Sequence, residues 1–180
     1  TTTTNNAEQK IIRLFADGKI DDSYVPFLVP GFVTDIKSKQ DGSFVATLLG
    51  YPQNIQNFFK FCSDGVLDTN FTAPIFYYNN ESTYPANGLM LKDMVFDDDG
   101  KMVIVGNFSH VNGIYRQRIV RLNSDGSVDT TFNVGNGFNG FVNCIKKYGT
   151  NKYVIGGNFT TYDGISKIRV IRLNYDGSID

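Results

Sequence analysis

The sequence predicts an all-β fold of tandem, four-stranded antiparallel units. Three observations predict it. One motif recurs four times along the 180 residues, each copy carries an Asp-Gly pair, and the composition is rich in aromatics and glycine (15 Phe, 10 Tyr, 18 Gly). Aromatic residues suit pleated, half-buried surfaces, and glycine serves the tight turns that many short strands require.

Four segments align without gaps: IIRLFADGKIDDSY from Ile11, FFKFCSDGVLDTNF from Phe58, IVRLNSDGSVDTTF from Ile119 and VIRLNYDGSID from Val170. Each reads as two apolar residues, a base, an apolar residue, then Asp-Gly, a second Asp and an aromatic. The base is Arg13, Lys60, Arg121 or Arg172, and the first aspartate is Asp17, Asp64, Asp125 or Asp176. The second aspartate is Asp21, Asp68, Asp129 or Asp180, and the aromatic is Tyr24, Phe71 or Phe132. A period of this kind sets the architecture before any single element is considered.

Between these segments lies a second repeated half, starting at Gly31, Gly88 and Gly140. An apolar strand ends at Ile36, Met94 or Ile145, a polar turn follows, and a second apolar strand runs over Phe44–Leu49, Met102–Val105 or Tyr153–Ile155. Asp-Gly between apolar runs predicts a hairpin closed by a type I′ turn, with positive φ at both central residues. Each period thus supplies two hairpins. Spacings of 47, 61 and 51 residues between equivalent aspartates fit one blade of a β-propeller, a small sheet that must stack on its neighbours. The expectation is a β-propeller-like array of about three and a half blades, with repeats near 10–57, 58–118, 119–169 and 170–180. A polar tail over 1–9, opening TTTTNN, reads as flexible.

The recurring polar residues read as scaffold. Asp-Gly shapes the turn, glycine taking the left-handed position while aspartate bonds its own turn backbone. A base among apolar strand residues is costly unless paired, so an internal pair with the second aspartate is the economical reading. A ring of bases that binds a ligand is the sharper alternative.

Lys and Arg number 17 against 18 Asp and Glu, so the basic excess of a nucleic-acid binder is absent. No segment approaches the ~18 apolar residues of a membrane span. Cys62 and Cys144 occupy non-equivalent positions and read as free thiols, and with His110 alone they cannot complete a zinc set. No cofactor is expected. Calcium is the one metal to weigh, at Asp97-Asp98-Asp99-Gly100 and Asn123–Asp129, but neither run completes a calcium-loop pattern. His110 is the single histidine, with no acid or nucleophile at a fixed spacing, so the chain reads as no enzyme. Of the sequons at Asn70, Asn80, Asn107 and Asn158, those at Asn107 and Asn158 are repeat-equivalent and read as turn caps.

The longest spacing comes from Thr72–Gly88, TAPIFYYNNESTYPANG. Insertions in repeat proteins gather on one face, often the binding face, and Tyr with Asn suits sugar or protein recognition. Tyr77, Tyr78, Asn79, Asn80 and Tyr84 are therefore the candidate ligand-binding residues. An interaction-free loop is the bland reading.

VIGGNFTTYDGISKIRVIRLNYDGSID, from Val154, and IVGNFSHVNGIYRQRIVRLNSDGSVDTTF, from Ile104, resemble the delta-60 repeat, a propeller-like family. The first copy departs from it, with Leu49-Gly50-Tyr51 in place of Gly-Asn-Phe. The resemblance implies a fold and no catalytic residues. It also implies a setting in bacterial surface proteins or in phage tail and fibre proteins. The expected partners are copies of the chain or further repeats, and a cell-surface glycan or protein receptor, with no nucleic acid and no membrane insertion. The expected role is a non-enzymatic binding and structural module outside the cell, on a virion or a bacterial surface. No leader is visible, and the chain begins at Thr1, which leaves room for one removed. A propeller enzyme acting on glycans, or a scaffold without a ligand, is the rival.

Overall fold

Wherever a polar turn separates two apolar runs, the chain folds back and the runs pair antiparallel. A computed structural model describes residues 9–29, 31–50, 56–78 and 91–180, and among these it contains no helix. No helix is long and apolar enough to cross a membrane. The chain falls into two compact units, Thr1–Thr69 and Asn70–Asp180. The N-terminal tail lies outside the described residues up to residue 8.

In the first unit, β1 (Gln9–Ile11) pairs with β2 (Phe27–Val29). β3 (Gly31–Ser38), β4 (Phe44–Gly50) and β5 (Gln56–Phe61) form a three-stranded sheet with β4 in the middle. Ile11, Tyr24, Phe44, Ala46, Leu48 and Phe61 form the core, and the Phe44 and Phe61 rings stack at 4.7 Å.

The second unit repeats that sheet twice. β7 (Leu91–Phe96), β8 (Met102–Gly106) and β11 (Ile119–Leu122) form one copy. β12 (Val142–Tyr148), β13 (Lys152–Gly157) and β16 (Val170–Asn174) form the other. β8 is buried at every position, as its unbroken apolar run requires of a strand covered on both faces. One face meets the next sheet: Val103, Val105 and Ile119 pack with Ile145, Tyr153, Ile155, Ile171 and Leu173 in a single core. All three sheets carry an irregularity at the same place on the first strand, between Val33 and Asp35, Leu91 and Asp93, and Val142 and Cys144. Small hairpins, β9 (His110–Val111) with β10 (Ile114–Tyr115) and β14 (Thr161–Tyr162) with β15 (Ile165–Ser166), join the middle strand to the base-bearing strand.

The blades depart from the expected four strands in one respect. The strand after each Asp-Gly is reduced to a single bridge: Leu14 to Ile20, Phe61 to Leu67, Leu122 to Val128 and Leu173 to Ile179. The second aspartate turns the chain away at once, which leaves no length for a ladder.

The turns also depart from type I′. At Asp17-Gly18 only the glycine has positive φ, 85°. The Phe15 carbonyl accepts from Gly18 N–H at 2.9 Å, and Phe15 N–H donates to the Lys19 carbonyl at 2.8 Å. That is a type I turn closed by a glycine bulge, and Gly42, Gly65, Gly100, Gly126 and Gly177 repeat the positive φ. Type I′ geometry occurs in the small hairpins instead, at Asn112-Gly113 (φ 50° and 78°) and Asp163-Gly164 (46° and 74°).

Candidate functional site

The base and second aspartate of each copy lie opposite one another across the Asp-Gly turn. The backbone sets this: Asp21 N–H donates to the Arg13 carbonyl, and Asp68, Asp129 and Asp180 do the same to Lys60, Arg121 and Arg172. The side chains then meet. Arg13 reaches Asp21 at 2.7 Å, Lys60 reaches Asp68 at 3.0 Å, Arg121 reaches Asp129 at 2.7 Å, and Arg172 pairs with Asp180. The other carboxylate oxygen accepts from the following turn, from Ser23 N–H onto Asp21 and from Thr131 N–H onto Asp129. The first aspartates Asp17, Asp64, Asp125 and Asp176 each accept the N–H two residues on, at 2.9–3.0 Å.

The aromatic belongs to a stitch between successive repeats. The N–H after it donates to the Asp carbonyl of the next Asp-Gly: Val25 to Asp64 at 3.0 Å, Thr72 to Asp125 at 2.8 Å and Asn133 to Asp176 at 2.8 Å. The glycine of that next turn lies beneath. A Cβ on Gly65 would stand 2.5 Å from the Tyr24 ring, and one on Gly177 would stand 2.6 Å from the Asn133 carbonyl.

The most buried polar cluster surrounds Arg121. Its guanidinium lies 4.7 Å from the Phe132 ring centroid and 4.5 Å from that of Tyr175, and its Nη1 donates to the Tyr175 carbonyl. Asp129 also receives Lys101 Nζ at 2.8 Å. Burial works to raise the Asp129 carboxyl, but the hydrogen bonds from Lys101, Thr131 and Arg121 prevail and hold it far below the usual range. Asp97 goes the other way. Burial raises its pKa, against the Tyr153 hydroxyl, which donates to its carboxylate at 2.7 Å, and Arg121 Nη1 at 3.9 Å. Tyr153 and Tyr175 are both raised, first by burial and then by donating to Asp97 and Asp99 respectively.

These contacts occupy the carboxylates weighed for calcium: Asp97 faces Tyr153, Asp98 faces Lys147, Asp99 faces Tyr175 and Asp129 faces Arg121. Among the described residues no three His, Cys, Asp or Glu side chains gather as a metal site. Cys62 and Cys144 are free and exposed.

The segment read as an insertion begins as repeat. Phe76 and Tyr77 form β6 (Phe76–Tyr77), which pairs with β9, Phe76 opposite Val111 and Tyr77 opposite His110. The next copy bridges Phe138 to Tyr162 in the same place. Phe76 packs edge-on to Phe108 at 5.1 Å, as Phe138 packs on Phe159 at 4.5 Å. The added residues therefore follow Tyr77. Tyr77 and Tyr78 are half-buried, and Asn79, Asn80 and Tyr84 lie outside the described residues.

His110 Nδ1 lies 2.9 Å from Ser109 Oγ and its ring meets the Tyr115 edge at 5.4 Å. No carboxylate among the described residues orients the ring, so the pair lacks the third member of a triad. The Asn107 side-chain oxygen is buried without a partner and caps no turn, while Asn158 is exposed.

Sequence reasoning passed over three groups. Lys101 and Lys152 each add a second cation to the base–Asp pair, at Asp129 and Asp180. Both follow the hairpin turn directly, which is a repeat signal. Arg118 and Arg169 are repeat-equivalent and both have positive φ, 66° and 64°. Arg118 is buried and reaches forward to the Phe138 carbonyl at 2.8 Å, with the Phe141 ring at 5.9 Å. The third, the Asp97–Tyr153 contact, has no counterpart in the other copies.

Two stretches, 98–132 and 149–180, match the model of a domain of unknown function, DUF5122, described as a β-propeller. The fold is that of β-propeller repeats. Each matched stretch opens at the hairpin turn before a middle strand and runs through the base-bearing strand to the second aspartate, so the matched unit includes the paired base, aspartate and lysine. No curated protein matches the chain.

Proposed function

We propose that this β-propeller chain is a non-enzymatic binding and structural module of an extracellular assembly. Such an assembly is a phage virion or tail appendage, or a bacterial surface adhesin, built from delta-60-like repeats. The reading is supported by one observation above all: in all four copies the base and the second aspartate bind each other. Groups engaged in the scaffold of every repeat are poor candidates for ligand selectivity. Specificity then falls to the residues that follow Tyr77, where Tyr78, Asn79, Asn80 and Tyr84 add ring faces and amides to the repeat. A cell-surface glycan or protein receptor is the ligand class, and copies of the chain or further repeats are the structural partners.

The test is a glycan array probed with the wild type and with Tyr78→Ala/Tyr84→Ala. Binding by the wild type that the folded variant loses supports the proposal. Equal binding by both moves the site elsewhere, and binding by neither, repeated on host cells, overturns the attachment role.

A further inference from the structure

The sheet β7–β8–β11 shows what one face of each blade is shaped to receive. Val103, Val105, Ile119 and Arg121 share that face and are buried by the sheet that follows. The same face of β12–β13–β16 is open. Val170, the counterpart of Ile119, is 62% exposed where Ile119 is 0%, and Ile168 beside it is 65% exposed. The Arg172 side chain is 48% exposed against 3% for Arg121. Arg169, exposed, repeats the left-handed backbone with which Arg118 reaches the following repeat.

A complementary face stands on the segment 9–29. In the covered blade, Ile171 and Leu173 are the residues that pack against Val103, Val105 and Ile119, with Ile179 beside them. Their counterparts Ile12, Leu14 and Ile20 are 49%, 54% and 57% exposed. Gly18 agrees: a Cβ there would meet nothing within 4 Å, whereas Gly65, Gly126 and Gly177 are each covered by the repeat before them.

We infer that these two faces bind each other between copies, Ile12, Leu14 and Ile20 of one chain covering Val170, Ile168 and Arg172 of the next. The open face is matched to a partial blade. Among the described residues, segment 9–29 carries the base-bearing strand and its turn without the β3–β4 hairpin. The open face is apolar where that strand would lie, at Val170 and Ile168. On the first strand, where it would not reach, Cys144 and Lys146 replace the Asp93 and Val95 of the covered blade. Arg172 would meet the Ala16 carbonyl, as Arg13 meets the Ser63 carbonyl and Arg121 that of Tyr175. Such a contact is heterologous, with different surfaces on the two partners. The inference rests on the reading of the chain as an assembly module.

Sedimentation velocity on the whole chain tests it with two surface variants, Ile12→Lys/Leu14→Lys and Ile168→Lys/Val170→Lys. All four positions are exposed, so each variant keeps the wild-type circular dichroism. The wild type associates as concentration rises, and each variant alone is weakened by about tenfold or more. Mixed in equal amounts, the variants form one-to-one dimers and nothing larger, because each retains one intact face. A wild type that stays monomeric up to its solubility limit overturns the contact, as does a variant that associates like the wild type. A monomer that still binds glycan would overturn this contact and leave the attachment role standing.

Discussion

Gly126 lies directly under the main-chain carbonyl of Thr72: a Cβ on the glycine would stand 2.0 Å from that oxygen. The contact exists because Thr72 N–H donates to Asp125, which draws the chain of one repeat over the turn of the next. Glycine is required there twice over, by a φ of 90° and by the space.

Gly126→Ala is therefore expected to cost far more than the left-handed backbone alone. Gly164, in the same unit, has a φ of 74° but open space around it, so Gly164→Ala isolates the backbone cost of about 1–2 kcal/mol. Gly126→Ala adds a clash with backbone that can relieve itself only by breaking the stitch, and about 4 kcal/mol or more is expected. Urea unfolding of the two variants checks this, and equal midpoints would refute the stitch as a source of stability.

One motif position also carries very different weight from copy to copy. Arg121 is enclosed by Phe132, Tyr175, Asp129 and Asp97, so Arg121→Ala leaves two buried carboxylates without their guanidinium, a loss of about 3–5 kcal/mol. Arg172→Ala removes the same motif residue from an open face, where solvent screens the pair, and a barely moved midpoint is expected. Arg121→Lys falls between: Lys60 shows that lysine can hold the aspartate, but it cannot also stack between two rings and donate to the Tyr175 carbonyl. Thermal unfolding should rank the three accordingly.

The blades were legible because apolar runs and turns recur in register, and the base–aspartate pair because both residues recur eight positions apart. The turn type was not. The Asp-Gly dipeptide is shared by several hairpins, and the bond from Phe15 N–H to Lys19 that selects the bulged form depends on five residues together. Phe76 was hidden by one residue of spacing: it follows Phe71 by five positions, whereas Phe138 follows Phe132 by six. Repeat comparison therefore assigned it to the insertion, although its ring packs like that of Phe138. Arg118 was legible in principle, since Arg169 matches it, but nothing in an arginine announces a left-handed backbone. The contact of Tyr153 with Asp97 could not be read from the repeat at all, because the equivalent positions hold Met102 and Tyr148.

That unrepeated contact has its own pH signature. The Asp97 pKa is raised, chiefly by burial, so the folded state favours the protonated carboxyl. Its stabilising contribution is complete below the ordinary carboxylate value of 3.8 and is lost as pH rises through the raised folded value. Asp97→Asn holds the neutral form at every pH and keeps an oxygen to accept the Tyr153 hydroxyl. The variant should melt a few degrees above the wild type at pH 7, with the gap closing as pH falls toward 3.8. Asp129 has the opposite sign. Its lowered pKa contributes stability above 3.8 that is lost on further acidification, so both proteins should share the same steep loss at lower pH. Melting curves from pH 3 to 8 separate the two groups; an Asp97→Asn gap that widens toward acid would mean that Arg121, and not burial, governs the Asp97 carboxylate.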